Sequence, residues 1–370
     1  MINKFVILQT PIKFFKVNLL RVVFFPFAVI YGIITFVRNK LYDLKILKSY
    51  SFDFPVISVG NLSVGGTGKT PHIEYIIRLL KENYSVCTLS RGYKRKTKGF
   101  VLADNNSNAL QIGDEPMQFK NKFDDIRVAV DEDRVDGIKK LKDKYPDIDV
   151  FLLDDAFQHR KIAPGLSILI TSVNKLYTED YLLPTGSLRE SISGANRADI
   201  IIVTKTDKFL SPITKRRIYS ELKPKFYQNI YFSYVKYGKI LPLPSFDFKV
   251  TKSKFNTILL FTGIADSTDL QYYLKEMCNE LIFLRFPDHH YYTKKNIELI
   301  RKTNNDIYTK NKIIITTEKD AMRLTKSKTF NFIKDLQIFY IPIEIEFKKN
   351  DKKRFNKQIL DYVEENKPIR

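Results

Sequence analysis

The sequence predicts an α/β protein with a mostly parallel sheet, a smaller C-terminal α/β domain and an N-terminal apolar helix. Short apolar runs alternate with segments of helical spacing from Pro55 onward, and a second alternating series begins near Thr257. Alternation of this kind is typical of a parallel sheet with helices on both faces. We therefore expect ligands at the carboxyl ends of the strands, where most of the polar motifs lie.

The composition favours a folded protein of two domains. The chain has 370 residues, of which 44% are hydrophobic and 13% aromatic, and these values exclude a disordered chain. Its two cysteines, Cys87 and Cys278, exclude a disulfide framework and a multi-cysteine metal site. The formal charge of +21 suits an anionic membrane, a phosphorylated substrate or nucleic acid. Because no basic–aromatic RNA module accompanies the charge, we expect no nucleic-acid partner.

Residues 1–48 are predicted to form a membrane-associating segment. No acidic residue occurs between positions 5 and 37, and lysines and arginines punctuate the apolar run. The uninterrupted part, residues 22–37, is shorter than the roughly 20 residues of a spanning helix and contains Pro26 and Gly32. Flanking cations and aromatic residues favour a position in the membrane interface. A helix packed on the protein body and a true span are the alternatives.

A glycine-rich loop between an apolar strand and a helix predicts nucleotide binding. Glycines at this point let backbone N–H groups turn inward, and the helix N-terminus favours an anion. The pattern G-x-x-x-x-G-K-[ST] is met except at its first glycine, where Ser63 stands. A flexible turn would leave the Gly-Lys-Thr sequence unexplained, so we predict a P-loop NTPase-like kinase domain over residues 49–212. The candidate nucleotide-binding residues are Ser63, Val64, Gly65, Gly66, Thr67, Gly68, Lys69 and Thr70.

Acidic residues beside this loop predict a Mg²⁺ site. Asp154 and Asp155 end a buried strand, and with Thr70 they offer oxygen ligands next to a polyphosphate. A role in capping the following turn is the alternative. Arg189 is a candidate for neutralising phosphate charge, and Glu190 for completing the metal shell. A solvated charged pair is the other interpretation of these two residues.

An Asp–His pair is the candidate for activating the hydroxyl that attacks phosphorus. Asp114 lies in Gly113-Asp114-Glu115-Pro116, which predicts a helix that begins with Pro116. His289 lies in a predicted loop of the second domain. A carboxylate beside an imidazole raises its basicity and sets its tautomer, so the pair is suited to accept a proton. Their spacing along the chain does not show that they meet.

The rest of the chain is divided into a connection over residues 213–250 and a C-terminal α/β domain over 251–370. A weak periodicity rich in Lys, Tyr and Pro indicates the connection, and the charged end indicates a peripheral helix. At the end of the first domain, residues 204–207 (TKTD) are similar to the N-K-x-D motif of GTPases, with Thr204 in place of the asparagine. This motif leaves open a membrane-attached regulatory NTPase that acts as a switch.

Seven motifs in order make the chain resemble the tetraacyldisaccharide 4'-kinase family of lipid A biosynthesis. The resemblance covers nearly the whole chain, and in this family the loop has serine at the first glycine position. The motifs are GNLSVGGTGKTP at 60–71, SRGY at 90–93, GDEP at 113–116, DD at 154–155 with FQH at 157–159, LRE at 188–190, DH at 288–289 and TTEKD at 316–320.

The resemblance implies an ATP- and Mg²⁺-dependent lipid kinase at the cytoplasmic face of the inner membrane, peripheral or N-terminally anchored. Its partners would be a lipid-linked disaccharide phosphate and the anionic membrane surface. Lys69 and Thr70 would serve phosphate and Mg²⁺, and Asp114 and His289 would activate the hydroxyl. The acidic metal region would comprise Asp154, Asp155 and Glu190.

Two positions depart from the family pattern. Ala156 and Lys94 stand where glycine is usual. The methyl group of Ala156 restricts φ, so we expect it to influence how Asp155 or His159 approaches the cleft. Neither change removes a chemical group, so activity remains the expectation.

Overall fold

The computed structural model describes residues 11–244, 246–247, 253–325 and 330–367. The first ten residues of the predicted membrane segment, parts of the predicted connection and the last three residues lie outside them. The strands are β1 (Val56–Gly60), β2 (Val86–Ser90), β3 (Val101–Leu102), β4 (Arg127–Val130), β5 (Val150–Asp154), β6 (Leu166–Ser172), β7 (Ile200–Thr204), β8 (Asn229–Tyr237), β9 (Leu241–Pro242), β10 (Phe255–Thr262), β11 (Cys278–Arg285), β12 (Lys312–Thr317), β13 (Ile338–Ile341) and β14 (Ile343–Phe347).

The helices alternate with these strands along most of the chain. They are α1 (Pro11–Asp43), α2 (Lys69–Leu80), α3 (Ala109–Ile112), α4 (Asp114–Lys122), α5 (Arg134–Lys144), α6 (Pro212–Leu222), α7 (Thr268–Lys275), α8 (Lys294–Asn305), α9 (Glu318–Thr325) and α10 (Lys349–Asn366). The predicted α/β class is confirmed by this order. One expectation about α4 is wrong: the helix begins at Asp114, so Pro116 is its third residue.

A large, mostly parallel sheet forms the first domain. Across the described residues its strands lie in the order β14-β8-β7-β6-β1-β5-β2-β4-β3, and only the pairs β14–β8 and β3–β4 are antiparallel. Strand β1 is central, between β5 and β6, and all of its residues are buried. Strands covered on both faces read as continuous apolar runs, as β1, β5 and β7 do. The loops after β1 and β5 therefore lie side by side at the carboxyl edge.

A smaller sheet forms the second domain. Its strands lie in the order β11-β10-β12-β13-β9, all parallel except β9. Apolar residues of β10, β12 and β13 pack against α8 and α9 on one face, around Ile297, Ile300 and Leu324. The loops after β10 and β11 and the helix after β12 face the first domain, so this domain presents its own carboxyl edge to the cleft.

The chain crosses between the domains more often than the predicted boundaries imply. Helix α6 and strand β8 fall in the predicted connection, yet β8 pairs with β7 in the large sheet. Strand β14 and helix α10 also return to the first domain, where Phe355, Ile359 and Val363 are buried. The predicted boundaries and the peripheral helix need this correction. Strand pairing between residues far apart in the sequence determines that β8 and β14 belong to the large sheet. Local periodicity carries no information about such pairing.

Helix α1 exposes most of its apolar side chains. Between Arg21 and Asp43 it is long and apolar enough to cross a membrane by length and composition, with a mean hydropathy of 1.7. Only Ala28 of this stretch is buried. The helix runs through Pro26 without ending. Most of its apolar side chains therefore do not pack on the protein body, as the alternative of a helix packed there requires. The large exposed side chains, each more than half accessible, are Val22, Val23, Phe25, Phe27, Ile30, Ile33, Ile34 and Phe36.

Candidate active site at the inter-domain cleft

The loop between β1 and α2 surrounds open space. Gly65 and Gly68 have φ of +112° and +85°, a region that favours glycine. A Cβ atom added to Gly65 or Gly66 would meet nothing within 4 Å. The loop is held from outside, because the Val64 N–H donates to the Ser187 carbonyl at 2.8 Å. The site thus has the room and the exposed backbone that a polyphosphate requires.

Lys69 begins α2 and lies among polar groups beside the loop. Its Nζ donates to Asn61 Oδ1 at 3.0 Å and lies 3.5 Å from Asp155 Oδ1. Asn61 also donates from Nδ2 to Thr67 Oγ1 at 2.8 Å, so it ties the loop to the lysine. Burial lowers the pKa of the Lys69 amine, partly opposed by the charge of Asp155. This arrangement keeps a charged donor next to the loop.

His72 supports the end of the loop, although it lies in none of the predicted site motifs. Its Nδ1 lies 2.7 Å from the Gly68 carbonyl and its Nε2 lies 2.9 Å from Ser233 Oγ. A carbonyl only accepts, so Nδ1 carries the proton and Nε2 accepts from the serine. The sequence signal that could have identified His72 was its position on the buried face of α2, one turn after Gly68. His72 thereby links strand β8 to the phosphate loop.

The buried His72 predicts a fall in stability at mildly acid pH. Burial lowers its pKa from 6.5 to about 4, so between these values the unfolded chain binds a proton that the folded protein does not. The free energy of unfolding should therefore decrease as pH falls through this window, by about 3 kcal/mol in all. Urea unfolding of wild type and His72→Gln at pH 7, 6 and 5 measures it. The difference in unfolding free energy between the two proteins should become smaller as pH falls. If the two plots of unfolding free energy against pH are parallel, His72 is not the group responsible.

Asp154 and Asp155 lie at the carboxyl end of β5 beside the loop. Asp155 has a φ of +50°, so the strand ends at Asp154 and the chain turns there. Both Asp155 oxygens accept from Arg189, at 2.7 Å and 3.1 Å. Burial would raise the pKa of Asp155, but Lys69 and Arg189 outweigh it and lower it. In Asp154, burial and the charge of Asp155 raise the pKa to about 7.

The residues at this edge fit a divalent cation. The Asp154 carboxylate is 5% exposed and makes no hydrogen bond or ion pair within the described part of the chain. A buried carboxylate without a donor is stabilised by a metal ion, and Mg²⁺ is commonly held by one or two carboxylates together with substrate phosphates. Thr70, Asp154 and Asp155 are thus the candidate ligands. The described residues contain no group of three or more His, Cys, Asp or Glu side chains placed to hold a metal.

Glu190, predicted to complete the metal shell, bonds to side chains of the protein in this structure. Its carboxylate accepts from Arg197 at 2.8 Å and 2.9 Å, from Gln158 at 2.9 Å and from Asn39 at 2.9 Å. These contacts occupy both oxygens, and the side chain is buried. Glu190 therefore joins helix α1 to the loop that carries Arg189 and is not grouped with Asp154 and Asp155. Its position next to Arg189 in the sequence does not reveal these distant partners.

Helix α1 reaches the same loop at a second point. The Tyr31 hydroxyl donates to the Arg189 carbonyl at 2.7 Å, and Arg38 donates to the Gln158 carbonyl at 3.3 Å. Arg160, after β5, forms an ion pair with Asp43 at 2.8 Å. The apolar helix is thus attached to the edge of the site by polar contacts along its C-terminal half.

The structure brings Asp114 and His289 together across the cleft. Asp114 Oδ2 lies 3.0 Å from His289 Nδ1. The backbone N–H of His289 donates to the Gly263 carbonyl at 3.0 Å, which fixes the position of this residue. The φ of His289 is +59°, in the left-handed region. Burial would raise the pKa of Asp114, but the hydrogen bond from His289 and the charge of Arg323 lower it. An ionised carboxylate only accepts, so Nδ1 carries the proton and Nε2 is the basic nitrogen.

Arg323 completes this group, although it was not among the predicted site residues. Its Nη2 and Nε donate to Asp114 Oδ2 at 3.1 Å and 3.2 Å, and its Nη1 donates to Asp320 Oδ1 at 3.2 Å. Asp320 is fully buried and also accepts from the Gly263 N–H at 3.0 Å. The signal was present in the i,i+3 spacing of Asp320 and Arg323 on α9. Arg323 thus connects the second domain to the carboxylate of the first.

Further ion pairs cross the cleft on both sides of this group. Glu115 pairs with Lys319 at 3.3 Å, and Lys122 with Glu318 at 2.9 Å. Lys205, in the TKTD sequence, pairs at 3.2 Å with Asp266 of the second domain. The TKTD sequence therefore takes part in the contact between domains.

The two departures from the family pattern have different consequences. Ala156 is buried and its φ is not positive, so the backbone accommodates its methyl group. The neighbouring Asp155 is the residue that adopts the left-handed conformation. Lys94 has a φ of +60°, which glycine would adopt at lower cost. Neither residue displaces a group of the site.

The comparisons with known proteins agree with this geometry. The profile of the family described as Tetraacyldisaccharide-1-P 4'-kinase matches residues 20–364. A protein of Flavobacterium johnsoniae named Tetraacyldisaccharide 4'-kinase is 49% identical over 349 residues, covering 94% of this chain and 99% of the relative. One of the same name from Bacteroides thetaiotaomicron is 46% identical over 353 residues, covering 92% and 93%.

A solved structure supports the fold. LpxK from Aquifex aeolicus, crystallised in complex with ATP, has a TM-score of 0.70 and 29% sequence identity, covering 93% of this chain and 99% of its own. This match, together with the parallel sheets described above, confirms the predicted fold class, and the named relatives confirm the predicted enzyme class, an ATP-dependent phosphotransferase. The chain belongs to the tetraacyldisaccharide 4'-kinase family.

Proposed function

We propose that the protein transfers the γ-phosphate of ATP to the 4'-hydroxyl of a tetraacyldisaccharide 1-phosphate in lipid A biosynthesis, with Mg²⁺. The observation that carries this proposal is the 3.0 Å contact between Asp114 and His289, which sets a proton acceptor across the cleft from the phosphate loop. Glu115, the neighbour of Asp114, lies close enough to Lys69 for its charge to affect the pKa of the amine. Donor and acceptor groups thus share one site.

The donor side consists of the loop, Lys69 and Arg189. The loop N–H groups and the lysine bind phosphate oxygens, while Arg189 balances the charge of Asp155 and places a guanidinium at the edge of the loop. Thr70, Asp154 and Asp155 would hold Mg²⁺, which supplies charge neutralisation on the phosphates when it is bound. Phosphoryl transfer depends mainly on this placement and neutralisation.

The acceptor side consists of His289 and Asp114. As the acceptor oxygen bonds to the γ-phosphorus and the bond from that phosphorus to the leaving ADP oxygen breaks, the hydroxyl proton passes to His289 Nε2. Asp114 accepts from Nδ1–H, which orients the ring and stabilises the cation that forms. The hydrogen bond from His289 and the charge of Arg323 lower the pKa of Asp114, so the carboxylate itself is a weak base and the imidazole accepts the proton.

Helix α1 provides the route to a substrate that stays in a bilayer. Its exposed apolar side chains suit the acyl region, and the basic surface suits anionic lipid at the cytoplasmic face of the inner membrane. The contacts from Tyr31 and Asn39 place this helix beside the loop that carries Arg189. An acceptor sugar at the membrane surface would therefore lie next to the donor site.

The test is a kinase assay with the full chain in detergent micelles. Mg²⁺·ATP and the acylated disaccharide 1-phosphate should yield a lipid that carries one additional phosphate. Running the same assay with GTP addresses the switch hypothesis, because a regulatory NTPase predicts GTP preference and no lipid acceptor. Folded protein that repeatedly phosphorylates no lipid would refute the proposal.

A further inference from the structure

A buried arginine without an ionic partner lies at the carboxyl edge of the large sheet. Arg134 begins α5 directly after β4, and the residue is 5% exposed. Its Nη1 donates to the Glu132 carbonyl at 3.0 Å, while its Nε is buried with no hydrogen-bond partner in the described part of the chain. Among the described residues no carboxylate lies within 4.0 Å of the guanidinium. A guanidinium withdrawn from water in this way is costly unless an anion accompanies it.

The described surroundings supply no ion-pair partner, and the charges of Asp155, Asp154 and Asp131 act on Arg134 only from beyond 4.0 Å, where they raise its pKa. The nearby Asp131 accepts from the Asp133 N–H with Oδ1, and its buried Oδ2 has no hydrogen-bond partner among the described residues. Asp133 caps α5 and pairs with Lys161. Arg134 Nη2 makes no hydrogen bond to a described residue and is not among the fully buried atoms. It is therefore the atom of the guanidinium that a ligand can reach.

A second arginine and a histidine adjoin Arg134. Arg91 follows β2, whose last residue pairs with the last residue of β4, so the loops after these strands are adjacent. Burial lowers the pKa of Arg134 and the charge of Arg91 lowers it further, while the carboxylates of Asp155, Asp154 and Asp131 partly oppose this shift. His159 Nε2 is also buried without a hydrogen-bond partner from the residues that the structure describes. Burial, followed by the charge of Arg134, lowers the pKa of His159 to about 4. The cluster is therefore cationic and contains unused polar atoms.

The sheet order separates this cluster from the phosphate loop. The strands run β1-β5-β2-β4, so the loop after β1 lies on one side of Asp154 and Asp155, and Arg91 and Arg134 lie on the other. The Asp pair stands between two groups of cations. A phosphate held by Lys69 and a phosphate held by Arg134 would thus be two different phosphates, or the two ends of one extended anion.

We propose that Arg134 and Arg91 form a second phosphate subsite, which binds a phosphate monoester on the acceptor side of the acidic pair. A guanidinium binds phosphate through parallel N–H donors, which an isolated ammonium does not do, so the chemistry suits this ligand class. The inference rests on the proposed function, in which the acceptor carries its own phosphate. The two sources of such a group are that acceptor and the nucleotide, and binding experiments distinguish them.

The test measures binding without turnover. Full-length wild type, Arg134→Gln and Arg91→Gln are titrated in detergent micelles with the acylated disaccharide 1-phosphate, with the same disaccharide lacking its phosphate, and separately with a non-hydrolysable ATP analogue and Mg²⁺. Arg134→Gln should raise the Kd of the phosphorylated lipid by about tenfold or more and leave the other two unchanged. Arg127→Gln is the matched control, since Arg127 lies at the opposite end of β4 and pairs with Asp147 on the surface.

The binding titrations also distinguish the source of the phosphate and can refute the subsite. A loss confined to the ATP analogue would support the subsite and assign it to nucleotide phosphate. Unchanged Kd for both ligands in both variants would overturn the proposal. Because binding is measured without nucleotide, a wild type that binds the phosphorylated lipid through Arg134 but transfers no phosphate would refute only the proposed kinase activity.

Thermal unfolding separates this role from a structural one. If Arg134 supports the fold, its replacement should lower Tm. If Arg134 is kept for a ligand, its replacement should leave Tm unchanged or raise it. Inorganic phosphate at millimolar concentration should raise the Tm of wild type more than that of Arg134→Gln. Arg134→Lys keeps the charge without the planar donors and should recover only part of the lipid affinity. A Tm that falls in Arg134→Gln, with no difference in phosphate response, would contradict the subsite.

Discussion

Replacing Asp114 or His289 by alanine is expected to lower kcat by about 10²–10⁴. Either change removes the proton acceptor or the carboxylate that orients it, while the phosphate loop and Lys69 are unaffected. The KM for ATP should therefore change little. Steady-state kinetics with saturating lipid and Mg²⁺·ATP, at several pH values, measures this effect.

His290 provides the matched control for this prediction. It follows His289 in the sequence, but its ring stacks on Phe286 at a centroid distance of 4.9 Å and its Nε2 bonds to Asn296. His290→Gln should therefore change stability more than kcat. A near-normal kcat in Asp114→Ala or in His289→Ala would remove that residue from the proton-transfer role. A loss of kcat in His290→Gln as large as that in His289→Ala would show that the effect is structural.

Replacing Arg323 by methionine is expected to lower both stability and kcat. The substitution leaves Asp320, which is fully buried, without its cation and Asp114 with one fewer donor. Removing one partner of a buried ion pair costs about 3–5 kcal/mol of unfolding free energy. Chemical denaturation followed by circular dichroism measures this cost, and kinetics of the folded variant measures the effect on turnover.

A positioning role for Arg323 makes a further prediction that a purely structural role does not. Its charge contributes to the low pKa of Asp114, so its loss should raise that pKa and move the acid limb of the kcat profile to higher pH. Arg301→Met is the control, because Arg301 pairs with Asp335 at the exposed surface and should contribute only about 1 kcal/mol or less. Equal destabilisation by the two substitutions, or an unmoved pH profile, would contradict this assignment.

Local patterns in the sequence were sufficient for the elements that depend on near neighbours. The strand, glycine loop and helix from β1 to α2 follow from an apolar run, conformationally free glycines and helical spacing within about 25 residues. The pairing of Asp154 and Asp155 with the loop follows from parallel strands whose carboxyl ends share an edge. Seven motifs in order were sufficient to indicate the family, and the comparisons confirm it.

Only the tertiary structure decided which distant groups meet. Asp114 and His289 are 175 positions apart, and Arg323 reaches Asp114 from 209 positions away, so no local periodicity reports these contacts. The same reason explains why β14 and α10 return to the first domain, and why Glu190 bonds to Asn39 of α1. Residue types in the sequence specify which chemistry is available, but strand order and domain packing determine which side chains share a site.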